Sequence, residues 1–313
     1  MTKVAVIAVG GNALIVDNSK VSIEDQYLAV QDTSKHLVDF IQQGWTVVLT
    51  HGNGPQVGHI LQRSEAARGK VHAVPMDVAV ADTQGSIGYH FQQALQNEFA
   101  ARGMTNRALT VVTQVVVDPA DPAFQSPTKP IGSFMDEATA NQRKESEGWQ
   151  IMEDAGRGWR RVVPSPQPKE ILEFDAIVDL VKLGYSVVAG GGGGIPVVKT
   201  EDGYRGVAAV IDKDLASSLL AQKLKADTLL ISTGVEKVSL NFGKPDQIDL
   251  SRITLSEAKR YLGEGHFKPG SMKPKIEAAL AFVEKTGGRA LITDPPNMAR
   301  AVRGETGTEI VAD

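Results

Sequence analysis

Short, uninterrupted apolar runs recur along the chain and set its architecture: KVAVIAVG, WTVVLTHG, ALTVVTQVVV, YSVVAG, DTLLIST, RALITD and TEIVA. They do not alternate polar and apolar residues as a half-exposed strand does, so they predict strands buried on both faces of a sheet. Between them, apolar residues return at helical spacing. Ile23 to Gln43 carries Leu28, Val30, Leu37, Val38 and Ile41, Ala208 to Leu224 is rich in Leu and Ala, and Lys275 to Val283 repeats in the same way. Alternating strands and helices predict an α/β fold, a three-layer α/β/α sandwich with a mainly parallel central sheet.

The rhythm breaks from Asp118 to Pro166, a stretch rich in proline, glycine and charge that holds two of the three tryptophans. A connection of that length inside a compact domain is usually functional or disordered. Trp149, Ile151, Met152, Trp159 and Val162 supply apolar material for a small subdomain, so we expect an inserted lid over about residues 118–166.

The 313 residues suit one large α/β domain or two lobes sharing a sheet. With 42% hydrophobic and 22% charged residues the composition is that of a soluble globular protein. A net charge of -4 gives no reason to expect nucleic acid or an anionic membrane as partner. The absence of cysteine removes disulfides, thiolate metal sites and cysteine nucleophiles, and fits a reducing compartment. The opening MTKVAVIAVGGNAL runs into Gly-Gly-Asn without a cleavage site, and no window approaches the roughly 18 apolar residues of a membrane span. The expected location is therefore cytoplasmic. No H-E-x-x-H or G-x-S-x-G pattern occurs, so neither a histidine metal site nor a serine nucleophile elbow is expected.

Glycine clusters follow the apolar runs at VGGNAL (Val9 to Leu14), THGNGPQVG (Thr50 to Gly58) and the five consecutive glycines Gly190 to Gly194. In open α/β sheets ligands bind outside the carboxyl ends of the strands, where glycine lets backbone N–H groups approach phosphate oxygens. Three clusters so placed predict one ligand crevice, with Gly190 to Gly194, and Gly191 and Gly192 above all, as a wall to which the backbone comes close. Neither G-x-x-x-x-G-K-[ST] nor a complete G-x-G-x-x-G is present, which argues against a P-loop NTPase or a standard dinucleotide enzyme.

Lysines stand in unusual places instead. VIDKDLAS starts a helix near Asp212, placing Lys213 at its N-terminal end, and PGSMKPKIEA starts another near Ser271, placing Lys273 and Lys275 in its first turns. Cations there oppose the helix dipole, and an anion bound between them reverses the sign. We read Lys213 and Lys275 as anion ligands and Lys273 as a solvated surface lysine. Asp214 could hold two lysine heads apart, bind magnesium through water, or simply favour the first turn of its helix. Lys129 sits on a stiff proline-flanked stem in PTKPIG. His51 reads as polar lining, Arg157, Arg160 and Arg161 as lid charges, and NFGKPDQ (Asn241 to Gln247) as a turn that could pack over a base.

Taken in order, VGGNAL, THGNGPQVG, ADTQGSIGY, PTKPIG, RRVVPSP, AGGGGGIPVV, VIDKDLAS, NFGKPDQ and PGSMKPKIEA resemble the carbamate kinases of the amino acid kinase family, from about residue 4 to 310. The resemblance implies the three-layer fold, a homodimer, and reversible Mg²⁺-dependent phosphoryl exchange between ATP plus carbamate and ADP plus carbamoyl phosphate. It also implies an acceptor-side lobe over 1–225, including the lid, and a nucleotide-side lobe over 226–313. By the same resemblance Gly10, Gly11, Asn12, Gly52 and Asn53 hold the transferred phosphoryl and carbamoyl groups. Lys213 and Lys275 match the phosphate lysines, Asp214 their organiser and Lys129 the lid lysine, with Ser271, Lys213 and Lys275 on the nucleotide. TGVEKV (Thr233 to Val238) stands where the family more often reads TDVDKV, which puts ribose or base contacts and nucleotide preference in question. Two other readings stay open: a kinase of the same superfamily acting on an acyl amino acid carboxylate, and a non-catalytic nucleotide or phosphate sensor. Arginine breakdown and purine or ureide breakdown are both compatible settings.

Overall fold

The computed structural model describes residues 3–11, 14, 22–154 and 156–313. Its central sheet contains β1 (Lys3–Val9), β2 (Trp45–His51), β3 (Arg107–Thr110), β9 (Tyr185–Val188), β12 (Thr228–Ser232), β15 (Arg252–Thr254), β16 (Arg289–Thr293) and β17 (Thr308–Val311). They lie in the order β15-β17-β16-β12-β1-β2-β9-β3. All neighbours are parallel except β16 and β17. Every apolar run expected to be a strand contributes to this sheet.

Side chains alternate between two cores. Ala5, Ile7 and Val9 of β1 pack with α1 (Ile23–Ile41), α3 (Met76–Ala101) and α9 (Met298–Val302). Val6 and Ala8 point the other way, toward α5 (Phe174–Lys182), α6 (Lys213–Leu224), α7 (Leu255–Gly263) and α8 (Met272–Thr286). Burial on both faces is why these strands read as continuous Val/Ile/Leu runs. Helix α1 begins at a capping box, in which the Ser22 side chain accepts from the Asp25 N–H and Asp25 answers the Ser22 N–H. Helix α6 starts at Lys213, five residues after the start of the Leu- and Ala-rich stretch, because Asp212 caps it by accepting from the Asp214 N–H.

The run ALTVVTQVVV is two strands. Its first half is β3, and its second is β4 (Gln114–Val117) of another sheet, ordered β11-β10-β4-β8, with β8 (Pro168–Ile171), β10 (Ile195–Thr200) and β11 (Gly203–Gly206). The break falls where Gln84 of α3 captures the backbone: its Oε1 accepts from Thr113 N–H at 2.7 Å and its Nε2 donates to Thr113 O at 3.1 Å.

The expected insert has its own antiparallel sheet, β5-β7-β6, from β5 (Lys129–Met135), β6 (Gln150–Glu153) and β7 (Trp159–Val163), with α4 (Glu137–Glu147) between β5 and β6. Ile131 and Val163 anchor it in a third core with Val57 of α2 (Gly54–Ala66) and Val80 of α3. A short hairpin, β13 (Val238–Leu240) with β14 (Ile248–Leu250), carries the turn expected at 241–247.

Candidate active site

Strands β12, β1, β2 and β9 are consecutive in the sheet, so the loops leaving their carboxyl ends meet. Gly10 N–H donates to Ser232 O at 3.2 Å, and Gly52 N–H donates to Val9 O at 3.0 Å. A Cβ added to Gly10 would lie 3.0 Å from Ser232 O, and one on Gly52 would lie 3.4 Å from Gly11 N. Gly10, Gly11, Gly52, Asn53 and the five glycines thus share one edge of the sheet, as the crevice reading expected. Asn12 lies outside the described residues.

The glycine run is buried, and its contacts refine the expected wall. Gly190, Gly192, Gly193 and Gly194 have φ of 63°, 68°, 91° and 90°, a region in which side-chain-bearing residues are strained. A Cβ on Gly191 would sit 2.3 Å from His51 Nε2, and one on Gly192 would sit 2.1 Å from Asn53 Nδ2. The space vacated by these two glycines is therefore taken by the protein's own His51 and Asn53. Asn53 in turn donates to Thr83 Oγ1 at 2.9 Å.

His51 is 1% exposed, and its Nδ1 lies 2.9 Å from Gly52 O. A carbonyl only accepts, so Nδ1 carries the proton and Nε2 is bare. Burial, with a smaller push from Lys213 and against the Gly52 hydrogen bond, lowers its pKa to about 4. His51 is a neutral structural ring at neutral pH.

Across the crevice the helix lysines converge on one carboxylate. Asp214 Oδ2 accepts from Lys275 Nζ at 2.9 Å, and Oδ1 lies 2.8 Å from Lys213 Nζ. This second contact is a close ion pair between two buried groups. Burial alone would raise the Asp214 pKa, but Lys213 and Lys275 outweigh it and hold it near 2. Lys213 is pulled down by burial and by Lys275, and supported by Asp214. Both Asp214 oxygens face lysines, at 2.8 and 2.9 Å. Lys129 reaches in from the insert, 3.4 Å from Asp212, the cap of α6.

Two adjoining cavities run from this cluster. One of about 210 Å³ is lined by Gly10, Gly11, Thr233, Ser271 and Lys275. A larger one of about 590 Å³ shares Thr233 and Ser271 and continues past Phe242, His266 and Met272. Such volumes suit small-molecule ligands. Lys273 stays apart from both, 3.8 Å from Glu277 on its own helix. Arg157 and Arg160 pair with Asp154 inside the insert, as lid charges should.

Sequence reasoning gave no role to Gln84, Thr113 or His266. Gln84 Nε2 also donates to Gly191 O at 3.0 Å, and Thr113 Oγ1 accepts from Gly190 N–H at 2.9 Å, so both brace the glycine run. The only signal for Gln84 was its place inside ADTQGSIGY.

The family model for the amino acid kinase family matches residues 3–294, and the chain belongs to that family. Within it the chain stands among carbamate kinases and carbamate kinase-like proteins. It is 50% identical to a carbamate kinase of Thermococcus kodakarensis over 99% of this chain and 100% of that protein. It is equally 50% identical to the carbamate kinase-like protein YahI of Escherichia coli, over 99% of each. Carbamate kinase from Giardia lamblia bound to AMP-PNP superposes with a TM-score of 0.95 at 43% identity, covering 99% of both chains. Among the described residues no helix is long and apolar enough to cross a membrane.

Proposed function

We propose that this protein is a carbamate kinase that exchanges a phosphoryl group reversibly between MgATP plus carbamate and MgADP plus carbamoyl phosphate, working mainly toward ATP. The observation that carries the reading is the buried Lys213–Asp214–Lys275 cluster beside the glycine edge, at the mouth of the two joined cavities. Phosphoryl transfer through a loose transition state needs in-line positioning and neutralised oxygens more than covalent help. Lys213 and Lys275 supply the charge, Asp214 fixes their spacing, and Lys129 brings a third cation when the insert is down. Carbamate is already an anion and needs no general base. That agrees with a site whose buried histidine is neutral and hydrogen-bonded to Gly52 O.

Gly10, Gly11, Asn12, Gly52 and Asn53 hold the reacting groups, Gly191 and Gly192 shape the acceptor end through His51 and Asn53, and Ser271 lies along the nucleotide. No group of three or more metal-ligating side chains exists among the described residues, and Asp214 is engaged by lysines. Magnesium in this reading enters as part of the nucleotide substrate, held mainly by its phosphates. The proposal includes an acceptor-side lobe over 1–225 with its lid, a nucleotide-side lobe over 226–313, a homodimer and a cytoplasmic location. The larger cavity supports the division, since all its lining residues fall between Thr233 and Met272.

The deciding experiment is a coupled assay for ATP made from carbamoyl phosphate and ADP, repeated with other nucleoside diphosphates because Gly234 replaces the more usual aspartate. ATP formation supports the reading. Binding of ADP without turnover would replace it with a sensor, and turnover of an acyl amino acid without carbamoyl phosphate would replace it with another kinase of the superfamily.

A further inference from the structure

A separate cavity of about 330 Å³ lies between α2 and the insert, sharing no lining residue with the two cavities above. Its charged residues cancel all but one. Arg68 of α2 donates to both Glu147 oxygens at 3.0 and 2.9 Å and to Glu65 at 2.9 Å. Arg143 of α4 bonds the other oxygen of Glu65 and shares Glu147 Oε1 with Arg68. Two arginines and two glutamates are thereby neutralised. Arg161 of β7 is left over: its guanidinium is half-buried, makes no hydrogen bond or ion pair with the described residues, and lies over the Trp149 ring at 4.9 Å. Burial lowers its pKa, with only partial support from Glu147. Beside this charge the walls are apolar, formed by Leu61, Val74, Ile131, Met135 and Trp149.

We propose that this cavity is a second binding site, for a small monocarboxylate with an apolar chain. One free guanidinium, which presents a planar two-pronged donor, matches one carboxylate, and the apolar walls match a hydrocarbon tail. The volume lies at the lower end of small-molecule sites, about 300–1,000 Å³. Ile131 belongs to the strand that begins at Lys129, so an occupant would touch the element that carries the lid lysine.

The test is calorimetric titration of the full chain, without nucleotide, using hexanoate against hexan-1-ol, hexylamine and acetate. Tryptophan fluorescence is followed in parallel, with Trp149→Phe identifying the reporting ring. We expect saturable binding of hexanoate, weaker binding of acetate and none of hexylamine. Arg161→Met and Arg161→Lys should each weaken hexanoate about tenfold or more, the loss of a charge-assisted hydrogen bond. Leu61→Trp, which fills the cavity without touching the charge, should abolish binding. Equal binding of hexan-1-ol, absence of saturation with hexanoate, or full retention of affinity in Arg161→Met would each overturn the proposal. The ligand comparison on the unaltered protein decides the matter even if a variant does not fold, and no outcome depends on phosphoryl transfer.

Discussion

The glycine edge and the inserted subdomain are both close to Lys213, yet they are built on opposite principles. At the glycine edge the backbone is buried, with four of five consecutive residues at positive φ and the neighbouring side chains within a methyl's reach. In the insert, α4 buries only Ala140. That subdomain is joined to α2 by the Arg68–Glu147 and Arg143–Glu65 pairs, beside the small apolar anchor of Ile131 and Val163. Close packing holds one arrangement, whereas exposed ion pairs are weak and screened by salt. The comparison teaches that the glycine edge is held by close packing alone, whereas the element carrying Lys129 adds to a small apolar anchor a set of ion pairs that salt can screen.

The largest expected effect probes the rigid side. Lys213→Ala should lower kcat about 10² to 10³-fold, the usual loss for a preorganised transition-state donor, in the assay of ATP formation. Near-normal kcat would remove Lys213 from the chemistry. Next is the pH dependence carried by His51. Its folded pKa, near 4, lies below the ordinary 6.5, so between those values the unfolded chain binds the extra proton and stability falls as pH falls. The loss over that window is about 3 kcal/mol. His51→Asn should flatten the slope of urea-unfolding free energy against pH between 4 and 6.5, and an unchanged slope would refute the assignment.

A smaller effect is expected for Gly192→Ala, where strain at positive φ and overlap with Asn53 should destabilise by about 1–3 kcal/mol. Displacing Asn53 should also raise the KM for carbamoyl phosphate. If stability and KM are both unchanged, the run is only a turn. The smallest effect belongs to the insert. Glu147→Gln should lower stability by about 1 kcal/mol or less and speed proteolysis within 118–166, with the difference shrinking at about 1 M salt. A loss that salt does not alter would mean the insert is packed like the rest.

Much of the architecture was legible because the central sheet is buried on both faces, so KVAVIAV and TLLIS could be little else. Helix α3 was not read as a helix. It packs on α1, β3 and the glycine run at once, and its polar Thr83 and Gln84 are buried alongside Ile87 and Phe91, which blurs any single apolar stripe. Gly88 on that helix was a usable clue, since a Cβ there would lie 2.3 Å from Thr110 Cγ2. The second sheet escaped because Gln84, distant in sequence, interrupts ALTVVTQVVV. At the site, Lys213, Asp214 and Lys275 were readable from their places at helix starts. Filling of the glycine space by His51 and Asn53 was not, because it depends on how two loops from neighbouring strands meet.

The contact between Lys129 and Asp212, an amine 3.4 Å from a carboxylate across the gap between insert and helix α6, makes the lid's position accessible to covalent chemistry. A carbodiimide joins such a pair as an amide with no spacer, so it would weld the molecule only where this contact is made. The amount of the cross-linked tryptic peptide would then read the contact between insert and helix as a chemical yield.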